Sequence, residues 1–432
     1  MAGAHATDRR GFLRALAAGA AGVAAPLVVP ASALGRSGSM SPGDRILAVA
    51  IGARNRGNDL IRGVIRNKDV TLLAVCDIDE KIRAQRVGEC NKSYEEQERG
   101  KNVTAGIHDF HEVMERTDID AVLIATPDQH HAHMAIAAMR SGKDVYCEKP
   151  MTLTIAEGRA MADTAARYGR VFQVGSQRRS EERPRRACEA VRNGRIGKLL
   201  RVEVGVGMRP AKAEADVAEP VPPGFDYELW LGPAPWAPYS TKRCHYNFRF
   251  VRDYSGGEMT NFGAHFFDVA QWGIGADDTG PVEIDGKGEF FDGLWNTFSK
   301  VDVTYTYASG VTIHCTHKFA GCKFIGTEGW VDADRLVGEP MSAITAPLGA
   351  SDVHLYQSRG GHMGTFIECV RTRGTTAATV EIGHRSATVC HLGNIAMTLE
   401  RKLRWDPKAE EFPGDAEANR MRLRPYREPY VL

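Results

Sequence analysis

The chain has 432 residues, 43% hydrophobic and 25% charged, which is the composition of a folded globular protein with room for two domains. A formal net charge of +1 excludes the basic excess of a nucleic-acid binder. Nine cysteines without a C-x-x-C pair exclude a zinc knuckle and a dithiol redox motif.

Residues 1–33 read as a targeting segment. Arg9-Arg10 precedes an apolar run over 15–29, and Ala31-Ser32-Ala33 offers a small-residue cleavage site. This is the pattern of a twin-arginine signal, so a periplasmic or otherwise exported protein is expected. The run falls short of the roughly 20 residues that span a bilayer, so no membrane attachment is expected once the signal is removed. Residues 34–44 form a Gly/Ser/Pro linker.

The apolar stretch 45–51 predicts a buried strand running into Gly52-Ala53-Arg54-Asn55-Arg56-Gly57. A helix over about 58–67 and a strand over 70–76 follow, the strand ending at Asp77, twenty residues past Gly57. Strand, glycine turn, helix, strand and terminal acid make a dinucleotide-binding fingerprint. Gly52 permits the tight turn, Gly57 lets the helix approach the sheet, and the helix start offers N–H groups to a pyrophosphate. Arg54 stands where a second glycine is usual and, like Arg56, could reach a phosphate. Asp77 favours the ribose hydroxyls of NAD over the 2′-phosphate of NADP, with NADP possible through those arginines.

A charge-rich helix and loop (80–101) leads to a strand over 121–126 ending in Pro127-Asp128-Gln129-His130-His131. A helix over 133–141 returns to the strand 145–147, which stops at Glu148-Lys149-Pro150. In an open α/β sheet ligands sit beyond the carboxyl ends of the strands, so Gly52, Pro127 and Glu148 would line one crevice and Lys149 would point an ammonium into it. Past 171–175 the alternation of strands and helices ends. Arg178, Arg179, Arg183, Arg185 and Arg186 fit a solvated face or, for Arg178, an anionic substrate contact. Strands over 199–208, 282–290, 301–307 and 311–317 predict a second sheet, and 220–238 reads as an ordered loop. Gly256-Gly257 and Thr260 open a predicted helix through Trp272 that aims Asn261, His265 and Asp268 from one side. The aromatics around it, including Tyr254, suit either sugar stacking or core packing. A metal site is not expected: His314 and His317 would face opposite sides of a strand.

Gly52-x4-Gly57, Cys76-Asp77, Thr126-Pro127-Asp128-x-x-His131 and Glu148-Lys149-Pro150 together resemble the Gfo/Idh/MocA family of glucose–fructose oxidoreductase and inositol dehydrogenase. The resemblance implies an α/β fold: a Rossmann parallel sheet (45–171), then an α/β substrate and oligomerisation domain with a large, mostly antiparallel sheet (172–382). The last part (383–432) would return a helix to the cofactor domain and bring His384 to the cleft. It further implies cofactor contacts from Thr126, Pro127, Asp128, His131, Glu148 and Lys149, and a homodimer or homotetramer. His265 matches the family's acid/base histidine, whereas Asn261 stands in place of the aspartate that orients it, and Asp128 in place of a more usual Asn. The expected activity is NAD(P)-dependent hydride transfer to or from a sugar, glycoside or cyclitol hydroxyl, catalysed by Lys149 and His265 around a tightly held cofactor. Two alternatives keep the fold: a redox-neutral NAD-dependent glycosidase, lyase or epimerase, and a catalytically silent carbohydrate binder.

Overall fold

The computed structural model describes residues 44–207 and 215–432. The twin-arginine segment, most of the linker and the end of the strand expected over 199–208 lie outside the described residues.

The first sheet holds β1 (Ile46–Ile51), β2 (Val70–Cys76), β3 (Ala105–Ile107), β4 (Ala121–Ile124), β5 (Asp144–Cys147) and β6 (Phe172–Val174). Their spatial order is β3-β2-β1-β4-β5-β6, with every neighbouring pair parallel. Helices cover both faces, so β4 and β5 are buried at every position; β4 is an unbroken apolar run, and β5 carries only Val, Tyr and Cys after Asp144. The order reverses between β1 and β4, which opens a crevice at their carboxyl ends.

The second sheet comprises β7 (Leu199–Val206), β8 (Glu283–Phe290), β9 (Phe298–Thr306), β10 (Thr312–Thr316), β11 (Ala320–Gly326), β12 (Trp330–Asp332), β13 (Val337–Glu339) and β14 (Leu403–Arg404). Its order is β13-β12-β11-β7-β10-β9-β8-β14. The β7–β10 pair is parallel and the other pairs are antiparallel. β9 alternates buried and more exposed residues because one face packs on helices Gly263–Ile274 and Val380–Leu399. The architecture is thus α/β, a six-stranded parallel sheet followed by an eight-stranded, mostly antiparallel one.

Two details redirect the site. The helix expected through Trp272 is broken into Glu258–Asn261 and Gly263–Ile274, where the His265 N–H donates to the Phe262 carbonyl three residues back (3.0 Å). That tightened turn removes the shared face that one continuous helix would give Asn261 and His265. The chain also returns to the first sheet before residue 383: helix Gly361–Thr372 adds Phe366, Ile367, Cys369 and Val370 to the core beneath β1 and β2.

Candidate active site

The glycine turn after β1 is built for close approach. Gly52 has φ +84°, and a Cβ there would lie 2.7 Å from the Ala125 carbonyl oxygen. A Cβ on Gly57 would lie 2.0 Å from the Gly52 oxygen, so only glycine lets the helix Asn55–Ile65 start this close to β1. The first turn of that helix has no acidic residue, and its N-cap, Arg54, makes no side-chain capping bond. Its N–H groups are therefore available to an anion.

Asp77, at the end of β2, accepts the Ala53 N–H (2.8 Å) on one carboxylate oxygen and the Asp79 N–H (2.9 Å) on the other. Burial pushes its pKa up, against those two hydrogen bonds. It lines the cleft, and it also ties the glycine turn to the loop beyond β2. Arg54 forms an ion pair with Asp79 and is not held free for a phosphate. Asp79 at the same time caps helix Glu80–Glu96, accepting the N–H groups of Lys81 and Ile82.

Glu148, at the end of β5, is buried, and one of its oxygens, Oε1, accepts from Arg56 Nε (2.8 Å), Gln177 Nε2 (2.9 Å) and the Tyr146 hydroxyl (3.2 Å). The peptide bond from Lys149 to Pro150 is cis. Lys149 Nζ donates to the Asn261 carbonyl (2.8 Å) and to Asn261 Oδ1 (3.1 Å). Burial lowers the lysine's pKa, while Glu148 and Asp128 pull it back up and Arg249 adds to the lowering. Asp128 is buried and accepts from Ser255 Oγ (2.5 Å), and burial raises its pKa.

His265 lines the same cleft as Gly52, Asp77 and Lys149, a cavity of about 490 Å³. Burial holds its pKa well below the usual value, and the charges of Lys149, Arg178 and Arg56 push it further down, so the ring is neutral at neutral pH. Asn261 does not orient it. The Asn261 amide spans Lys149 and Glu258 Oε2 (3.1 Å) instead, and His265 Nδ1 is buried with no hydrogen-bond partner among the described residues.

Thr126 and Pro127 line the cleft as expected, but four other expected contacts lie elsewhere. His131 sits behind the strand ends, its ring nitrogens facing the carbonyls of Pro150 (2.7 Å) and Thr126 (3.0 Å), where it clamps the two loops together. Arg178 pairs with Asp334 and covers the Phe266 ring at 4.7 Å. Tyr254 is fully buried, edge-on to Trp230 at 4.9 Å. His384 is buried against Gly158 and bonded to Glu410 (2.9 Å). Asp268, expected beside His265, turns to the buried Arg179 (2.9 Å).

The second domain adds a wall of which sequence offered only Tyr246 and Phe248, as aromatics suited to stacking or to packing. Phe225, Trp230, His245, Tyr246, Phe248 and Arg249 line the cleft from residues 225–249. This segment is fastened to the first domain by Glu80 N–H to Gly224 O (2.9 Å), Asp226 N–H to Ile78 O (3.3 Å) and His108 Nε2 to Asp226 (3.0 Å). Ser255 and Gln177 were also missed, having no motif around them. Asp79 was legible, since an Asp before a charged helical run is an N-cap signature.

A parallel sheet in this order, a glycine turn fitted to a dinucleotide and a lysine–histidine pair at the sheet's carboxyl edge define an NAD-binding oxidoreductase architecture. Residues 46–176 match the oxidoreductase family, NAD-binding Rossmann fold, and residues 209–432 its C-terminal alpha/beta domain. The chain belongs to the Gfo/Idh/MocA oxidoreductase family and carries its NAD-binding domain. It is similar to scyllo-inositol 2-dehydrogenase (NAD(+)) of Bacillus subtilis, 25% identical over 288 residues, covering 63% of this chain and 73% of that one. It is 31% identical over 213 residues to the alpha-N-acetylgalactosaminidase of Shewanella oneidensis, where it spans about half of each protein (46%). Its fold is similar to that of GenD2 from gentamicin A biosynthesis, solved in complex with NAD. The TM-score is 0.62 at 15% identity, covering 85% of this chain and 98% of GenD2.

Proposed function

We propose that this is an exported dehydrogenase that keeps its NAD bound and oxidises a secondary hydroxyl of a sugar, glycoside or cyclitol. The observation that carries the reading is the meeting of Lys149 and His265, from different domains, in the cleft that begins at the glycine turn. Tight holding is supported by the segment 224–249, which the backbone bonds above fasten across that cleft.

The nicotinamide, when bound, would supply the redox chemistry by taking hydrogen with its electron pair from the carbinol carbon. The protein's part is the proton. Lys149 Nζ already faces two acceptors, the Asn261 carbonyl and amide oxygens, so two of its N–H bonds are committed. Its remaining position is a lone pair when neutral and an N–H when protonated. Burial favours the neutral amine, which can take the hydroxyl proton and then hold the new carbonyl oxygen as a donor. Neutral His265 orients the same hydroxyl; burial, with the charges of Arg178 and Arg56, keeps it from competing for the proton. Asn261 in this arrangement positions Lys149.

The test is mass spectrometry of the purified protein for bound dinucleotide, followed by nicotinamide absorbance as sugars and cyclitols are added. Protein that carries no dinucleotide and binds none added would overturn the reading. The similarity to the N-acetylgalactosaminidase favours a second reading, in which oxidation, elimination and re-reduction cleave a glycoside with no net redox change. Release of nitrophenol from a nitrophenyl glycoside without accumulating reduced nicotinamide would select it.

A further inference from the structure

Among the described residues three arginines line the cleft, and two are neutralised: Arg54 pairs with Asp79, and Arg56 with Glu148 at 2.8 Å. The third, Arg249, pairs with no carboxylate among the described residues. Its guanidinium lies 4.6 Å from the centres of both the Tyr246 and Phe248 rings and donates one bond to the Tyr246 carbonyl (3.0 Å). The two rings limit where the guanidinium can lie, and among the described residues its other N–H groups meet no acceptor. It lines the same cleft as Lys149 and Asp128, and both feel its charge. It comes from the short helical turn His245–Phe250 of the second domain.

A guanidinium held against two rings, with no salt bridge among the described residues and in a partly desolvated cleft, discriminates strongly between a neutral hydroxyl and a carboxylate or phosphate oxygen, because only the anion gives a charge-assisted bidentate pair. We propose that Arg249 is a specificity-determining residue that selects an anionic carbohydrate, a sugar acid or sugar phosphate, and holds its anionic group while a ring hydroxyl faces Lys149. This rests on the dehydrogenase reading and names its substrate class.

The test uses the NAD-loaded enzyme with D-glucose and D-galactose, their 6-carboxylates and their 6-phosphates. Binding is followed by calorimetry and turnover by nicotinamide absorbance, with the two acids and the two phosphates distinguishing the source of the anion. Wild type is expected to prefer one anionic form over its neutral parent, mainly through KM. Arg249→Gln is expected to reduce that preference by about 10- to 100-fold, the range for a lost charge-assisted bidentate contact. Arg249→Lys, which keeps the charge and loses the fork, should retain part of it. Equal or better use of neutral sugars by wild type overturns the proposal, as does failure of every anion to bind the holoenzyme. Loss of bound NAD from a folded Arg249→Gln protein also overturns it, since Arg249 would then serve the dinucleotide. A wild-type protein without NAD instead refutes the dehydrogenase reading itself, and the proposal falls with it.

Discussion

Glu148→Gln tests whether the buried carboxylate tunes the lysine beside it. One oxygen of Glu148 accepts from Arg56, Gln177 and Tyr146, and a Cβ on Gly175 would lie 2.6 Å from the other, so the near-isosteric amide fits where little else would. Replacing the Glu148–Arg56 ion pair with a bond from the Arg56 cation to a neutral amide costs about 1–2 kcal/mol, toward the lower figure because the Arg56 side chain is 41% exposed. A melting temperature lower by about 2–4 °C is expected. The catalytic effect is separate. Burial lowers the Lys149 pKa, and Glu148 is the foremost charge opposing that shift. Removing a partly screened neighbouring charge worth about 1–2 kcal/mol lowers the lysine's pKa further, by about one unit. Oxidation requires the neutral amine, so kcat/KM rises with pH through that pKa, and in the variant the rise is centred at lower pH. The assay is kcat/KM for alcohol oxidation across the pH range, beside a thermal melt. A melt lowered as expected with the kinetic midpoint unmoved would refute the assignment of Lys149 as the base.

Wild-type kcat/KM is expected to show no loss near pH 6.5 from His265, because the cleft holds its pKa well below that value. Protonation would block the site only at lower pH, and a limb near 6.5 separate from that of Lys149, and so unmoved in Glu148→Gln, would contradict the neutral role given to the ring. Gly57→Ala puts a Cβ 2.0 Å from the Gly52 oxygen and should weaken NAD binding more than tenfold, about 1.4 kcal/mol or more, as measured by calorimetry. Arg179→Leu leaves Asp268 buried with Ser386 Oγ (2.8 Å) as its remaining side-chain partner and should cost about 3–5 kcal/mol in a denaturant melt, with NAD affinity in the surviving folded protein unchanged.

The amino-acid order by itself determined most of the first sheet and the rim of its cleft, though not β3, which is three residues long. β1 and β4 are covered on both faces and read as continuous apolar runs, and Gly52, Asp77 and Glu148 directly follow β1, β2 and β5. The second sheet was half legible. β8, β9 and β10 carry the expected patterns, whereas β12 and β13 are three residues each, too short for a periodic signal. Side-chain partnerships were decided by tertiary structure. Whether Asn261 meets His265 or Lys149 depends on a break at Phe262 that local sequence does not announce. Arg54 met Asp79 rather than remaining free because β1 and β2 bring their carboxyl ends together. The wall that carries Arg249 lies more than a hundred residues beyond the glycine turn and reaches the cleft only through long-range contacts. Burial pattern and turn chemistry are local properties that a chain displays in its residue order, whereas the pairing of charges follows distances that exist only once the domains have packed.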